Sequence, residues 1–251
     1  LAHKPTERVL SVLSLLATHP EGLTLTQITK LLCIPKSTLF PILQEMVQEK
    51  FLHLSEKENL YFIGIAAYCI GAAYEYDKTL LPYIKSIMNK ISQEINEMCQ
   101  VGVLDGPNIL YILKQDPDVA HTIKIISYIG KKLPAYCTAL GKALLCQYTL
   151  KELKNLYPNG LVPQTKNTVI DFDKLYKQLQ LIKSTQVASE FEEVTEQLCC
   201  FAVPIRLPNS RQYAMSISMP LFRATKEKIA LAQKLLLQAK SSIESFNMSV
   251  D

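Results

Sequence analysis

Residues 24–48 read TLTQITKLLCIPKSTLFPILQEMVQ, and the fold of the first part of the chain turns on how this stretch divides. Thr24 followed three residues later by Gln27 is a capping-box pattern, in which each side chain satisfies the other residue's amide. Leu25, Ile28, Leu31 and Leu32 then repeat at the spacing of one helical face. That predicts a short helix stopping at Cys33 and Ile34. Pro35 suits the first turn of a new helix, where its missing N–H costs nothing, and Leu39, Ile42, Leu43, Met46 and Val47 mark an amphipathic helix after it. Two short helices joined by so tight a turn, the second with small polar groups near its start, form the outline of a helix-turn-helix.

Upstream, Val9, Val12, Leu13 and Leu16 lie on one face of a first helix, with Thr6 placed to cap its start and His19, Pro20 and Gly22 ending it. Downstream, residues 51–54 and Leu60-Tyr61-Phe62-Ile63 flank the charged turn Ser55-Glu56-Lys57-Glu58-Asn59, which reads as a β-hairpin wing. With the apolar stripe of the third helix buried, Lys36, Ser37, Phe40, Gln44 and Gln48 face solvent or a groove, with Thr38 in the same first turn and Lys57 at the wing. They offer cations, hydroxyls, an aromatic ring and two amides; Gln pairs bidentately with adenine and Phe meets a thymine methyl. Hydrophobic stripes alone do not separate a DNA-binding motif from a small interaction bundle.

The whole chain has 251 residues, 48% apolar and 20% charged, enough for two modest cores, and the pattern changes near residue 80. A formal charge of +4 hints at nucleic acid. Within residues 1–65, however, Lys4, Arg8, Lys30, Lys36, Lys50 and Lys57 are balanced by Glu7, Glu21, Glu45, Glu49, Glu56 and Glu58, so any argument for DNA rests on pattern. Seven cysteines form no Cys-x-x-Cys pair and the four histidines fall at no metal-ligand spacing, so a reduced protein without metal or cofactor is expected. No charged leader with an apolar core opens the chain, and the apolar run Leu60–Tyr74 is shorter than the roughly 20 residues of a membrane span. A cytoplasmic protein is expected, with that run a strand entering a buried helix.

From Ile65 to about Lys78 an Ala-, Tyr- and Ile-rich helix containing Gly71 links the two parts and packs on a partner. Ile84, Ile87, Met88, Ile91 and Ile95 then mark a long amphipathic helix. Strands are expected at Cys99–Leu104, Ile109–Leu113, Thr122–Ser127, Cys199–Ile205 and Tyr213–Met219, and helices at Phe172–Lys183 and Ala224–Phe246. This is an α+β mixture, an antiparallel sheet with helices packed on it.

Arg8-Val9-Leu10, Leu25-Thr26-Gln27-Ile28, Pro35-Lys36-Ser37-Thr38 and Tyr61-Phe62-Ile63-Gly64 resemble the DNA-binding domain of the IclR family of transcription regulators. Residues 133–145 (LPAYCTALGKALL), Glu190 to Glu193, Cys200-Phe201-Ala202-Val203-Pro204 and Ser216-Ile217-Ser218 resemble its effector-binding domain. The resemblance implies a winged helix-turn-helix DNA-binding domain at 1–65, a linker helix aiding dimerisation at 66–79 and an effector-binding domain at 80–251. It implies binding of double-stranded operator DNA as a dimer or tetramer, control by a small carboxylic or sugar acid, and a repressor's role. Carried over by position, the effector pocket comprises Ile125, Leu133, Ala139, Leu140, Glu190, Leu198, Cys200, Ser216 and Ser218. Two departures stand out. Pro41 replaces the basic residue usual in the recognition helix and removes a backbone bond, and the glycines usual before Glu190 and before the Cys200 strand are replaced by residues such as Thr185 or Gln186 and by Gln197.

The residues support such a pocket in their own right. Ala139 and Leu140 open a helix whose free amides favour an anion. Ser216 and Ser218 alternate with Ile217 and so share one face of a strand. Ile125, Leu133 and Leu198 set its size, and Glu190 accepts a ligand hydroxyl but as an anion repels a second carboxylate. Plainer readings stand beside these. Cys200 is a small buried hydrophobe, Glu192-Glu193 a solvated turn, the two serines satisfy each other or the backbone, and Gly141-Lys142 lacks the spaced glycine of a phosphate loop. An enzyme using Cys200 or a serine as nucleophile lacks a base, since His3, His19 and His53 lie in the first part and His121 in an Asp-rich turn, so no catalytic residue is assigned. The alternative to a DNA-binding regulator is a ligand-binding or interaction protein whose first domain no longer holds DNA.

Overall fold

The computed structural model describes residues 3–72, 80–117, 128–207 and 212–247, in two compact units, Leu1–Asp77 and Lys78–Asp251. The first unit contains α1 (Lys4–Ala17), α2 (Leu25–Leu32), α3 (Lys36–Gln48), β1 (Leu52–Ser55), β2 (Leu60–Ile63) and α4 (Ile65–Ala72). It is a winged helix-turn-helix. The Thr24–Gln27 capping box starts α2 as the sequence predicts, and Cys33, in the left-handed region at φ 53°, ends it. Pro35 is the N-cap of α3 in an extended conformation, one residue earlier than expected, and α3 continues across Pro41 to Gln48. The cap expected of Thr6 is not formed: α1 begins earlier, after His3, with Pro5 in its first turn, and Thr6 bonds the His3 ring at 2.9 Å from inside the helix.

β1 and β2 pair antiparallel, and Leu23 bridges to Tyr61, adding a short third rung that ties the loop after α1 to the wing. Val12, Leu16, Leu23, Ile28, Leu39, Leu43, Met46, Leu52 and Tyr61 make one core from all three helices and the hairpin. Gly64 follows β2 where the chain crosses Lys50: a Cβ there would lie 2.2 Å from the Lys50 carbonyl oxygen, so the wing folds back only on a bare backbone. The helix expected to be buried after this strand is not: α4 has no buried residue, and Ile65, Tyr68 and Ile70 are exposed. Among the described residues of α4 only Ala66 and Ala67 are half-buried, where the chain lies against Lys50.

The second unit contains α5 (Leu80–Ile95), β3 (Met98–Asp105), β4 (Asn108–Gln115), β5 (Lys132–Pro134), a 3-10 turn at Ala135–Cys137, α6 (Ala139–Leu145), α7 (Leu150–Leu156), α8 (Phe172–Thr185), β6 (Ala188–Phe191), β7 (Leu198–Ile205), β8 (Tyr213–Pro220), a second 3-10 turn at Leu221–Arg223 and α9 (Lys226–Asn247). Its sheet is six-stranded and antiparallel in the order β5-β4-β3-β8-β7-β6. The expected strand Thr122–Ser127, with Ile125 and His121, lies outside the described residues. The short strands β5 and β6 were not anticipated as strands.

Side chains alternate across the sheet. Cys99, Val101, Phe201, Val203, Met215 and Ile217 face α5 and α9 in one apolar core, while the other face packs on α6, α7 and α8. At one end of the first core the buried Glu97 carboxylate takes a two-pronged bond from Arg223 at 2.6 and 2.8 Å and a third from Lys228 at 2.6 Å. Of the residues that the resemblance sets in place of glycines, Thr185 ends α8 while Gln186, its cap, is left-handed at φ 61°, and Gln197 is left-handed at φ 63°. The loop conformation is kept at a cost of about 1 kcal/mol per residue.

α6 packs on the sheet with all seven of its residues buried, and Gly141 lets it approach the preceding turn: a Cβ there would lie 2.1 Å from the Ala135 carbonyl oxygen and 2.4 Å from its Cα. Backbone cannot yield as a side-chain tip does. Gly141→Ala is therefore expected to destabilise the protein by about 3 kcal/mol or more, read as an earlier urea midpoint with the slope unchanged.

Candidate functional site

Two surfaces gather the residues singled out in the sequence. On α3, Lys36, Ser37, Phe40, Gln44 and Gln48 are exposed, Thr38 is half-buried in the first turn, and Lys57 is exposed in the wing turn. Leu39, Leu43 and Met46 are buried beneath them, so the helical period separates a core stripe from a polar one. Pro41 is exposed on the outward side next to Phe40, itself 44% exposed. The outward stripe is thus amides, a hydroxyl and apolar rings, with its cation at the start of the helix.

The second surface is internal. Pairing across β6, β7 and β8 sets Glu190 opposite Cys200 and Cys200 opposite Ser218, and in the adjoining row Ser216 lies between Ala202 and Gln100. Small side chains in these rows, Ala188, Ala202 and Ala214 among them, leave space under α6. The result is a cavity of about 50 Å³ lined by Gln100, Tyr111, Lys131, Leu133, Thr138, Ala139, Leu140, Glu190, Val194, Thr195, Leu198, Cys200, Ser216 and Ser218. It brings together every pocket residue named from the sequence except Ile125, which lies outside the described residues. Gln100, Tyr111, Lys131, Thr138, Val194 and Thr195 were not named, and a strand position such as Tyr111 carries no local signal that it ends beside β8.

Each wall has a physical cause. The Thr138 hydroxyl caps α6 by accepting the Gly141 amide at 3.0 Å, and the first helical bond runs from Lys142 N to Thr138 O at 2.9 Å. The amides of Ala139 and Leu140 therefore precede the helical ladder. Ser218 donates to the Gln100 side chain at 3.2 Å, so the serines do not simply satisfy each other. Cys199 points into the opposite core and Cys200 to the cavity face, as the alternation requires. The reading of Glu192-Glu193 as a solvated turn fails at Glu193, which is buried with its carboxylate on the fully buried Lys142 ammonium. Lys142 also donates to Gln178 of α8 at 2.9 Å, and Glu193 Oε2 accepts the Val169 amide at 3.3 Å.

Glu190 is 3% exposed and its Oε2 accepts the Glu193 amide at 2.9 Å. Burial, aided by the Glu193 charge and opposed by bonds from the Cys200 thiol and that amide and by Lys142, pushes its carboxyl up to about 7. Burial also pushes the pKa values of the Cys200 thiol and the Tyr111 phenol well above their ordinary range, Glu190 adding to both, which leaves both groups neutral near pH 7. A thiol so placed is a poor nucleophile. Among the described residues no cluster of His, Cys, Asp or Glu could hold a metal ion, and no helix is long and apolar enough to cross a membrane.

Comparison with known proteins gives this geometry a context. A family model described as the C-terminal part of the bacterial transcriptional regulator IclR matches residues 76–245, and a model of the IclR helix-turn-helix domain matches residues 5–55. The HTH-type transcriptional regulator TtgV of Pseudomonas putida is 29% identical over 238 residues, covering 94% of this chain and 89% of that protein. The transcriptional repressor IclR of Escherichia coli is 25% identical over 238 residues, 94% of this chain and 87% of the other. Among solved structures, an IclR homolog from Microbacterium hydrocarbonoxydans complexed with 4-hydroxybenzoate superposes with a TM-score of 0.80 at 19% identity, covering 98% of this chain and 99% of that one. At that identity the likeness is one of fold.

The raised pKa of Glu190 links stability to pH. Its carboxyl titrates near 7 in the folded chain and near 4.5 unfolded, so the folded state holds the extra proton between these values and stability falls as pH rises through them. Glu190→Gln, which cannot ionise, is expected to match the parent near pH 4.5 and exceed it by about 3 kcal/mol at pH 8. Denaturant melts at the two pH values check this; equal stability at pH 8 would refute it.

Proposed function

The chain belongs to the IclR family of bacterial transcriptional regulators and is not an enzyme, and from this premise we propose that it is a ligand-responsive repressor controlled by a small organic acid. In this reading residues 1–65 bind double-stranded operator DNA, residues 66–79 are the linker, of which α4 to Ala72 is the described part, and residues 80–251 sense the effector. The observation that carries it is a cavity of mixed polar and apolar lining on the α6 side of the sheet, to which Ala139 and Leu140 at the start of α6 and Ser216, Ser218 and Cys200 of the strands all contribute. Amides ahead of a helical ladder favour an anion. Two serine hydroxyls on one strand face suit a carboxylate or hydroxyl, and Leu133 and Leu198 bound the apolar part. A volume of about 50 Å³ suits compact acids better than extended sugar acids.

On the DNA side, Lys36 and Lys57 take phosphate contacts, Ser37 and Thr38 position the helix start, and Phe40, Gln44 and Gln48 meet base edges, Gln44 or Gln48 on adenine and Phe40 on a thymine methyl. Two such helices must enter successive major grooves, so the operator-bound form is a dimer or a tetramer. Exposed apolar side chains on α4 support self-association through that helix. Effector binding changes operator affinity only by favouring one of two arrangements of the chain.

Selection from a random duplex library, with and without a panel of carboxylic and sugar acids, tests the whole reading: an enriched palindrome whose retention shifts with one acid is the expected result. No enrichment at any salt would favour the alternative of a DNA-incompetent binding protein, which the neutral first domain and Pro41 make specific. On an enriched site, Lys36→Ala is expected to weaken binding to all sequences alike and to reduce the salt slope by about one unit, whereas Gln44→Ala should relax preference at one base pair by about 1–3 kcal/mol. Band-shift titrations in which neither change has an effect would remove α3 from the groove. Ser216→Ala combined with Ser218→Ala is expected to weaken the acid's effect on DNA retention about tenfold or more while leaving ligand-free DNA affinity unchanged; an undiminished response would place the effector elsewhere.

A further inference from the structure

The cavity holds one negative charge too many for an anionic ligand. Glu190 lines it from β6, and its neighbours are the Cys200 thiol on β7, the Tyr111 phenol on β4, the Cys137 thiol before α6, and Glu193 and Lys142 behind it. Lys142 lies on Glu193, so that pair brings no net charge. Cys137, Cys200 and Tyr111 are all shifted upward and neutral near pH 7, Cys137 to about 12. Among the described lining residues Lys131, half-buried, is the cation. Glu190 lines the same cavity as Lys131 and the residues that open α6, so a carboxylate bound there shares the site with it. One ammonium then faces two carboxylates, and the burial of Glu190, 3% exposed, weakens the screening between them.

We propose that an acid binds in this cavity together with a proton held on Glu190, so that the site takes its ligand as an anion-plus-proton pair. The inference rests on the effector-pocket reading and adds to it a regulator, pH, and a second role for one residue. The protonated carboxyl is an O–H donor to the bound carboxylate where the ionised form is a repelling acceptor. Above neutrality the free site is ionised, and one proton from solvent must join Glu190 as the anion enters. Below pH 6 the proton is already in place. The pocket thus favours monoacids, since a second ligand carboxylate would need a further proton or cation.

The test titrates the full-length protein calorimetrically with acetate, lactate, 3-hydroxybutyrate, gluconate and 4-hydroxybenzoate at pH 6, and follows the tightest of these to pH 9 in buffers of different ionisation heat. With Glu190 titrating near 7, affinity is expected to fall about tenfold per pH unit above that point, close to a hundredfold by pH 9, with uptake of about one proton per acid at pH 8. Glu190→Gln should bind independently of pH, near the parent's strength at pH 6 and well above it at pH 9. An acid that binds the parent with flat affinity and no proton uptake overturns the inference and leaves the pocket standing. A slope that persists in Glu190→Gln overturns it as well, by assigning the proton to another group. If none of the acids binds at pH 6, the effector-pocket reading itself falls, and this one with it.

Discussion

Lys142 and Glu193 neutralise each other inside the second unit, and the geometry around the cavity depends on that pair. Lys142 comes from α6 and reaches both Glu193 and Gln178 of α8; Glu193 ties back to the Val169 amide and gives its own amide to Glu190. One buried charge alone would cost about 3–5 kcal/mol, which is what removing a single partner exposes. The residues between β6 and β7 are therefore not free to drift from α6, and Val194, Thr195 and Leu198 hold their places on the cavity wall. The same pair cancels its own charge, so the cavity inherits a carboxyl, Glu190, with no dedicated counter-ion behind it.

The sheet supplies the other half of the arrangement. One face carries large apolar side chains packed against α5 and α9, while the other carries alanines, serines and a glutamine on the side that α6 covers. Close-packed interiors leave space only where side chains are short. Here the short residues fall in adjoining rows of neighbouring strands, so their vacant volume is continuous rather than scattered. Polar groups line it, Ser218 bonding Gln100 of the neighbouring strand and Glu190 accepting the Glu193 amide, and among the described residues no buried side-chain nitrogen or oxygen lacks a hydrogen bond. A ligand can enter only by exchanging such bonds, which favours acids and alcohols over hydrocarbons.

The first unit shows a different balance. Over residues 1–65 its charges cancel, and its outward helix face presents amides, a hydroxyl and two apolar rings rather than a row of cations. Non-specific attraction to phosphate scales with the cations that face it, so in the proposed role such a face would depend more heavily on fit to base edges. Pro41 belongs to the same face, where the lost backbone donor meets solvent or a groove rather than the core, and that is why α3 tolerates it without ending.

Local periodicity made much of this protein legible before any coordinate. The capping box at Thr24, the stripe from Leu39 to Val47 and the alternation through Ser216-Ile217-Ser218 are short-range patterns, and the helix, turn and strand boundaries they imply recur within a residue or two. Errors arose where one residue decides between neighbours, as at Thr6 and Pro35, or where burial depends on what covers an element, as for α4. The family's resemblance named most of the cavity's walls; the chain's own pattern could not show that Tyr111, Gln100 and Thr138 complete it. Nor could it show that Glu193 is an interior ion rather than a solvated turn, or that Gln186 and Gln197 hold left-handed turns without glycine. Side-chain period follows from backbone geometry within a few residues and is written in the sequence. Which rows of distant strands become neighbours, and which charges meet out of water, depends on long-range pairing that tertiary structure alone decides.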